Sequence, residues 1–119
     1  MIWLALLSIG MSVAAQFALK AGMSSPAVQQ ALAQPAGWAL AKAIALQPAV
    51  VGGFALYGAG AVVWLSVLSR WDVSKAYPLV GLGFVATAAI GALLGEAVSA
   101  TRAVGVLVIC TGVWLVARS

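Results

Sequence analysis

Four polar side chains recur at every fourth residue in an otherwise apolar opening stretch: Ser8, Ser12, Gln16 and Lys20. On a helix that interval keeps them on one slowly drifting face. Inside hydrocarbon each such group is costly unless it faces protein or water, so as a set the stripe points to a cavity. Taken singly, each has a plainer role: Ser8 and Ser12 bond back to their own helix and Lys20 snorkels to the interface. A second set, Gly53, Tyr57, Gly60 and Trp64, also falls on one helix face, with glycines that admit a close neighbour and aromatic rings that make a wall. Core packing explains that face equally well. The only Glu, Glu96, lies six residues before Arg102. It would pair with Arg102 across a short loop, accept hydrogen bonds at the next helix start, or touch a substrate or proton directly. The sequence contains no His and a single cysteine, Cys110, set in an apolar run. No metal cluster, disulfide framework or cofactor site is expected from that inventory, and no covalent chemistry.

The elements that must position these groups follow from composition. Of 119 residues, 65% are hydrophobic and 7% charged, and the mean hydropathy is +1.14. A soluble core of this size cannot hide so much apolar surface. With roughly 20 residues per crossing, the chain has room for four spans and little else. The apolar runs place them at about 2–19, 49–69, 76–95 and 101–117. Met1-Ile-Trp3 supplies no side-chain charge, which argues against a cleaved signal peptide. Pro48 suits a helix start, Asp72 or Ser74 can cap the third span, Pro78 fits its first turn, and Ser99 can cap the fourth, which Arg118 closes. Gly91 and Gly95 have the GxxxG interval, and Gly105 and Gly112 lie seven apart; both sets are consistent with tight helix contacts.

The segment from Ser24 to Pro48 is punctuated by Pro26, Pro35 and Pro48, and only residues 37–46 read as helical. Trp38 and Lys42, one turn apart, fit a short helix lying at the membrane interface; a loop packed on the bundle fits as well. The net charge of +4 rests on six basic and two acidic residues, which reads as topology and lipid contact, not as a nucleic-acid footprint. Arg70, Lys75 and Arg118 fall on the N-terminal face, and Lys20, Lys42 and Arg102 on the other. The positive-inside rule therefore gives no orientation, which leaves open dual insertion as an antiparallel pair or a partner that sets the topology.

The run from Trp64 through Arg70-Trp-Asp72 to Ala76-Tyr-Pro-Leu79, with Gly95-Glu96, Ser99, Arg102 and Gly105 to Val113, resembles the drug/metabolite transporter superfamily. Within it, the single four-helix unit resembles the small multidrug resistance transporters and the small EamA-like proteins typified by the aminoarabinose-phosphoundecaprenol flippase subunits. Ala76-Tyr-Pro-Leu79, Gly95-Glu96, the opening Met1-Ile-Trp-Leu4, Ser12 to Gln16 and Lys20 favour the flippase group. The drug exporters carry a membrane-embedded Glu eight residues before a Lys. Here that position is Ser12, and an aromatic expected three residues after Tyr77 is Val80. Without that carboxylate, no group is evident to hold a lipophilic cation or to couple its exit to protons.

The expected architecture is an all-α membrane protein, one EamA-like domain over residues 1–119 forming a four-transmembrane-helix bundle that works as a dimer. The resemblance implies a multi-pass protein of the bacterial inner membrane. It would move a polyprenyl-phosphate-linked sugar or similar amphiphile, as a homodimer or with a second small membrane subunit. Efflux of a small cation or metabolite is the alternative. The candidate substrate contacts are Ser12, Gln16, Lys20, Tyr57, Trp64, Tyr77, Glu96 and Arg102; Gly105 and Gly112 are the candidate dimer contacts.

Overall fold

The computed structural model describes residues 2–35 and 37–119, so Met1 of the opening motif and Ala36 lie outside the described residues. The elements are α1 (Ile2–Met23), α2 (Pro26–Leu32), α3 (Trp38–Ala45), α4 (Pro48–Leu68), α5 (Val73–Ala76), a 3-10 turn (Tyr77–Val80), α6 (Gly81–Leu93) and α7 (Ala100–Arg118). Among the described residues, four stretches are long and apolar enough to cross a bilayer: α1, α4, the continuous run Val73–Leu93, and α7, with 22, 21, 21 and 19 residues. At about 1.5 Å per residue each matches a hydrocarbon core of about 30 Å.

Pro78 explains why the third crossing is not one uniform helix. It has no N–H to donate, and its ring crowds the carbonyl of Ser74, so the chain tightens to 3-10 geometry before α6 begins. The starts of the helices are legible in the same way. Ser99 caps α7, its hydroxyl oxygen accepting from the Arg102 N–H at 3.1 Å. Asp72 holds the corresponding position before α5 in extended conformation, but its side chain makes no capping bond.

Two expectations about the loops are corrected. The segment after α1, whose sequence reads as helical only over 37–46, contains a second short helix, α2. Ser25 caps it by accepting from the Val28 N–H at 3.4 Å, Pro26 stands at its first position, and Gln29 donates to the Met23 carbonyl at 2.7 Å. Val28 is thereby fully buried. Gly91 and Gly95 do not form a helix-contact motif. Gly95 has φ +94°, its N–H reaches the Ala92 carbonyl at 3.1 Å and that of Glu96 reaches Gly91 at 2.9 Å. That pair of bonds is the Schellman ending, which requires a left-handed residue and so selects glycine.

Packing centres on α1. Along α4, Gly53 and Gly60 face it so closely that an added Cβ would stand 2.9 Å from Leu19 and 3.2 Å from the Met11 Cβ. Small residues at a membrane helix contact let the backbones approach closely enough for dispersion and interhelical hydrogen bonding. Ser8 uses it: its hydroxyl donates to the Gly60 carbonyl of α4 at 2.7 Å, so it bonds across to a neighbour and not back to its own helix. On the other side of α1, Gly83 of α6 lies against Ile9 and Val13. Helix α7 packs behind, with Ile109 and Val113 against Gly81. Ile9, Val13, Leu79 and Val113 form one core cluster and Ala5, Val67 and Ala76 another, with Trp64 and Trp71 touching both. Helix α4 meets the third crossing chiefly at its short first turn, α5. The result is a slab with extents of 50 × 37 × 22 Å, about two helix diameters thick.

Candidate functional site

Because α4 and α6 flank α1 without closing on each other, a groove of about 680 Å³ opens between them, floored by α1. That is within the usual range for a small-molecule pocket. The polar stripe of α1 lies along its floor: Ser8, Ser12 and Gln16 all line it. One wall is Tyr57, Gly60 and Trp64 of α4; the other is Tyr77 and Val80 of the 3-10 turn with Gly83, Phe84 and Thr87 of α6.

Five of the eight candidate contacts therefore come together: Ser12, Gln16, Tyr57, Trp64 and Tyr77. Their spacing produces this. Residues 12 and 16 are one turn apart, and residues 57 and 64 are two turns apart on the face that also carries Gly60. The 3-10 turn places Tyr77 at the groove while Leu79 enters the core. Ser12 is half-buried, and neither it nor Gln16 makes a side-chain hydrogen bond among the described residues, so both polar groups face the groove open to a guest. Tyr57, Tyr77 and Phe84 are exposed where the groove opens sideways.

The other three candidates lie outside this lining. Lys20 is exposed one helical turn beyond Gln16 on the same stripe. Arg102 does not reach Glu96; its Nη1 donates to the Ala97 carbonyl at 2.9 Å and braces the turn between α6 and α7. The Glu96 carboxylate folds back over Gly91, where an added Cβ would meet Oε1 at 2.9 Å. On the N-terminal face, Lys75 lies 4.8 Å from the centroid of the Trp71 ring, and Arg118 lies 4.7 Å from that of Trp114. These are cation–π pairs of a kind suited to a membrane boundary. Gly105 and Gly112 have nothing within 4 Å of an added Cβ, so their face of α7 is open.

Sequence reasoning missed Phe84 and Thr87. Tyr77, Val80, Phe84 and Thr87 recur at intervals of three, four and three, so the same face argument applied to the third crossing would have found them. The Thr87 hydroxyl donates to the Gly83 carbonyl at 2.7 Å, which leaves its oxygen able to accept.

The lining carries hydroxyls, one amide and aromatic rings, and no charged side chain. Ser12 presents a hydroxyl to the groove and no carboxylate lies beside it in the lining. No group of three or more His, Cys, Asp or Glu side chains gathers among the described residues. What the arrangement can do is hold a polar, hydroxyl-rich group against aromatic faces while an apolar tail leaves sideways.

Comparison with known proteins bears on that arrangement. Over 115 residues, 94% of this chain and 86% of the relative, the chain is 33% identical to a protein of Sodalis glossinidius named a probable 4-amino-4-deoxy-L-arabinose-phosphoundecaprenol flippase subunit ArnF. A Photorhabdus laumondii protein of the same name is 37% identical over 73 residues, 59% of this chain and 58% of that relative. A Pseudomonas savastanoi protein named as the ArnE subunit is 40% identical over 65 residues, 54% of this chain and 57% of that relative. In these last two the match spans little more than half of the relative's length. No family model and no solved structure matches the chain. With its four long apolar helices this is an integral, multi-pass membrane protein, and it belongs to the ArnE/ArnF family of 4-amino-4-deoxy-L-arabinose-phosphoundecaprenol flippase subunits.

Proposed function

We propose that the chain is one subunit of an inner-membrane flippase that moves a polyprenyl-phosphate-linked sugar between leaflets without covalent chemistry. The observation that carries this reading is the uncharged groove open sideways between α4 and α6. A sugar head fits its chemistry: ring C–H faces stack on Tyr57, Trp64 and Tyr77, and sugar hydroxyls exchange hydrogen bonds with Ser12, Gln16 and Thr87. The polyprenyl chain stays in lipid beyond the lateral opening, where the walls are aromatic. Lys20, one turn past the end of the polar floor, holds the phosphate by a charge-assisted bond. A proton-driven cation exchanger would need a titrating carboxylate in the groove, and Ser12 occupies its place.

A slab two helices thick has no fourth wall for a polar path, so the working unit contains a partner: a second small membrane subunit or a second copy. The open α7 face with Gly105 and Gly112 is the surface offered to it, since glycines there admit a closely packed helix. The relatives named as ArnE and ArnF subunits support the two-subunit form.

Mass spectrometry of lipid retained by the purified protein tests the reading. A polyprenyl-phosphate-linked sugar should be retained by the wild type and depleted about tenfold in Trp64→Ala, the loss expected for removing one buried aromatic contact. Retention of bulk phospholipid only, by both proteins, would contradict it.

A further inference from the structure

The segment joining the first two crossings is fixed in depth by its ends, because α1 stops at Met23 and α4 starts at Pro48. Within α3, Leu40, Ala43 and Ile44 are half-buried, while Trp38, Ala39, Ala41, Lys42 and Ala45 are exposed. A helix that fronts bulk water carries polar groups on its outer face. Here the outer face is apolar except for Lys42, with Trp38 80% exposed and the following Leu46 69% exposed. Lys42 is the one charged residue between Lys20 and Arg70, and it lines a shallow cleft of about 360 Å³ between α2 and α3.

The surroundings leave this ammonium without a protein counter-charge. Asp72 lies on the other membrane face, and Glu96 is folded against Gly91. Lys75 and Arg118 lie over indole rings and Arg102 binds a carbonyl, whereas Lys42 makes no such contact among the described residues. An exposed indole, aliphatic side chains and an uncommitted cation at fixed interfacial depth are complementary to an anionic lipid.

We infer that α3 is a binding shelf for anionic phospholipid, with Lys42 on the head-group phosphate and Trp38 and Leu46 against the upper acyl chains. The shelf stands apart from the groove and does not depend on what the groove carries. It anchors the α1–α4 connection to the leaflet and concentrates anionic lipid beside the membrane face that holds Lys20.

The test uses the full chain with Cys110→Ser and Ala41→Cys, nitroxide-labelled at residue 41 and reconstituted in vesicles of phosphatidylcholine with phosphatidylglycerol. The label should collide more often with oxygen than with a water-soluble nickel chelate. Phosphatidylglycerol retained after detergent extraction, relative to phosphatidylcholine, should fall about fivefold on Lys42→Glu, the factor one basic residue near an anionic surface contributes. Lys42→Arg should keep the enrichment, which separates loss of charge from loss of fold. A label reached freely by the nickel chelate, a label shielded from both reagents by protein, or a phosphatidylglycerol ratio insensitive to Lys42→Glu would each overturn the proposal.

Discussion

Ser8 and Ser12 are one turn apart on the same stripe, and their neighbours give them different work. Ser8 meets Gly60, whose missing side chain brings the α4 backbone within reach, and donates to its carbonyl at 2.7 Å. Ser12 sits one turn further along the groove, half-buried with its hydroxyl uncommitted. Ser8→Ala should therefore lower stability by about 0.6 kcal/mol, the average for hydrogen bonds between membrane helices, and by no more than about 1.7 kcal/mol. The larger value is not expected, because the Gly60 carbonyl keeps its helical bond. Reversible unfolding in mixed micelles checks this, and a Ser8→Ala protein as stable as the wild type would contradict it. The stripe was legible from its interval alone. The division of labour within it was not, because it depends on which residue of α4 lies opposite. Glu96 and Arg102 illustrate the same limit: six residues apart in sequence, they are turned to Gly91 and Ala97 by the left-handed Gly95 between helices.

At the level of elements, the four apolar runs of the sequence coincide with four helices long and apolar enough to cross a bilayer, since runs of about 20 apolar residues match the length of a spanning helix. Helix α2 escaped because seven residues are too few for a period to show, although Ser25-Pro26 carries a start signal. The glycines divide into two kinds that spacing alone cannot distinguish. Gly53 and Gly60 are filled by α1, whereas Gly105 and Gly112 face open space. Gly60→Leu should thus break the α1–α4 contact and destabilise the single chain, by several kcal/mol if the helices must separate. Gly112→Leu should leave the chain's own stability within about 0.5 kcal/mol while weakening association with its partner. Unfolding and cross-linking of both variants check this. Undiminished cross-linking in Gly112→Leu would remove α7 as the contact.

For the whole molecule, the two membrane faces each carry three basic residues, yet the disposition differs. On the N-terminal face Lys75 and Arg118 lie over indoles, and on the other Lys20 and Lys42 are uncommitted. A charge tie makes the orientation sensitive to small additions, so two Lys appended to the C-terminus should hold that terminus in the cytoplasm for nearly all chains, read by a terminal reporter. A wild type already inserted one way only would exclude an antiparallel homodimer. The groove's chemistry points the same way as its position: uncharged lining, aromatic walls, and a cation one turn beyond the floor. Transport of a polyprenyl-phosphate-linked sugar in vesicles reconstituted with the partner subunit should fall about tenfold or more in Lys20→Ala, since a charge-assisted contact to phosphate is worth about 1.5 to 3 kcal/mol. Lys20→Arg should keep most of the rate, Trp64→Ala should lose it, and Glu96→Gln should leave it unchanged. If transport instead survives Lys20→Ala and Trp64→Ala and is abolished by Glu96→Gln alone, the groove is not the path and the lipid-sugar reading fails.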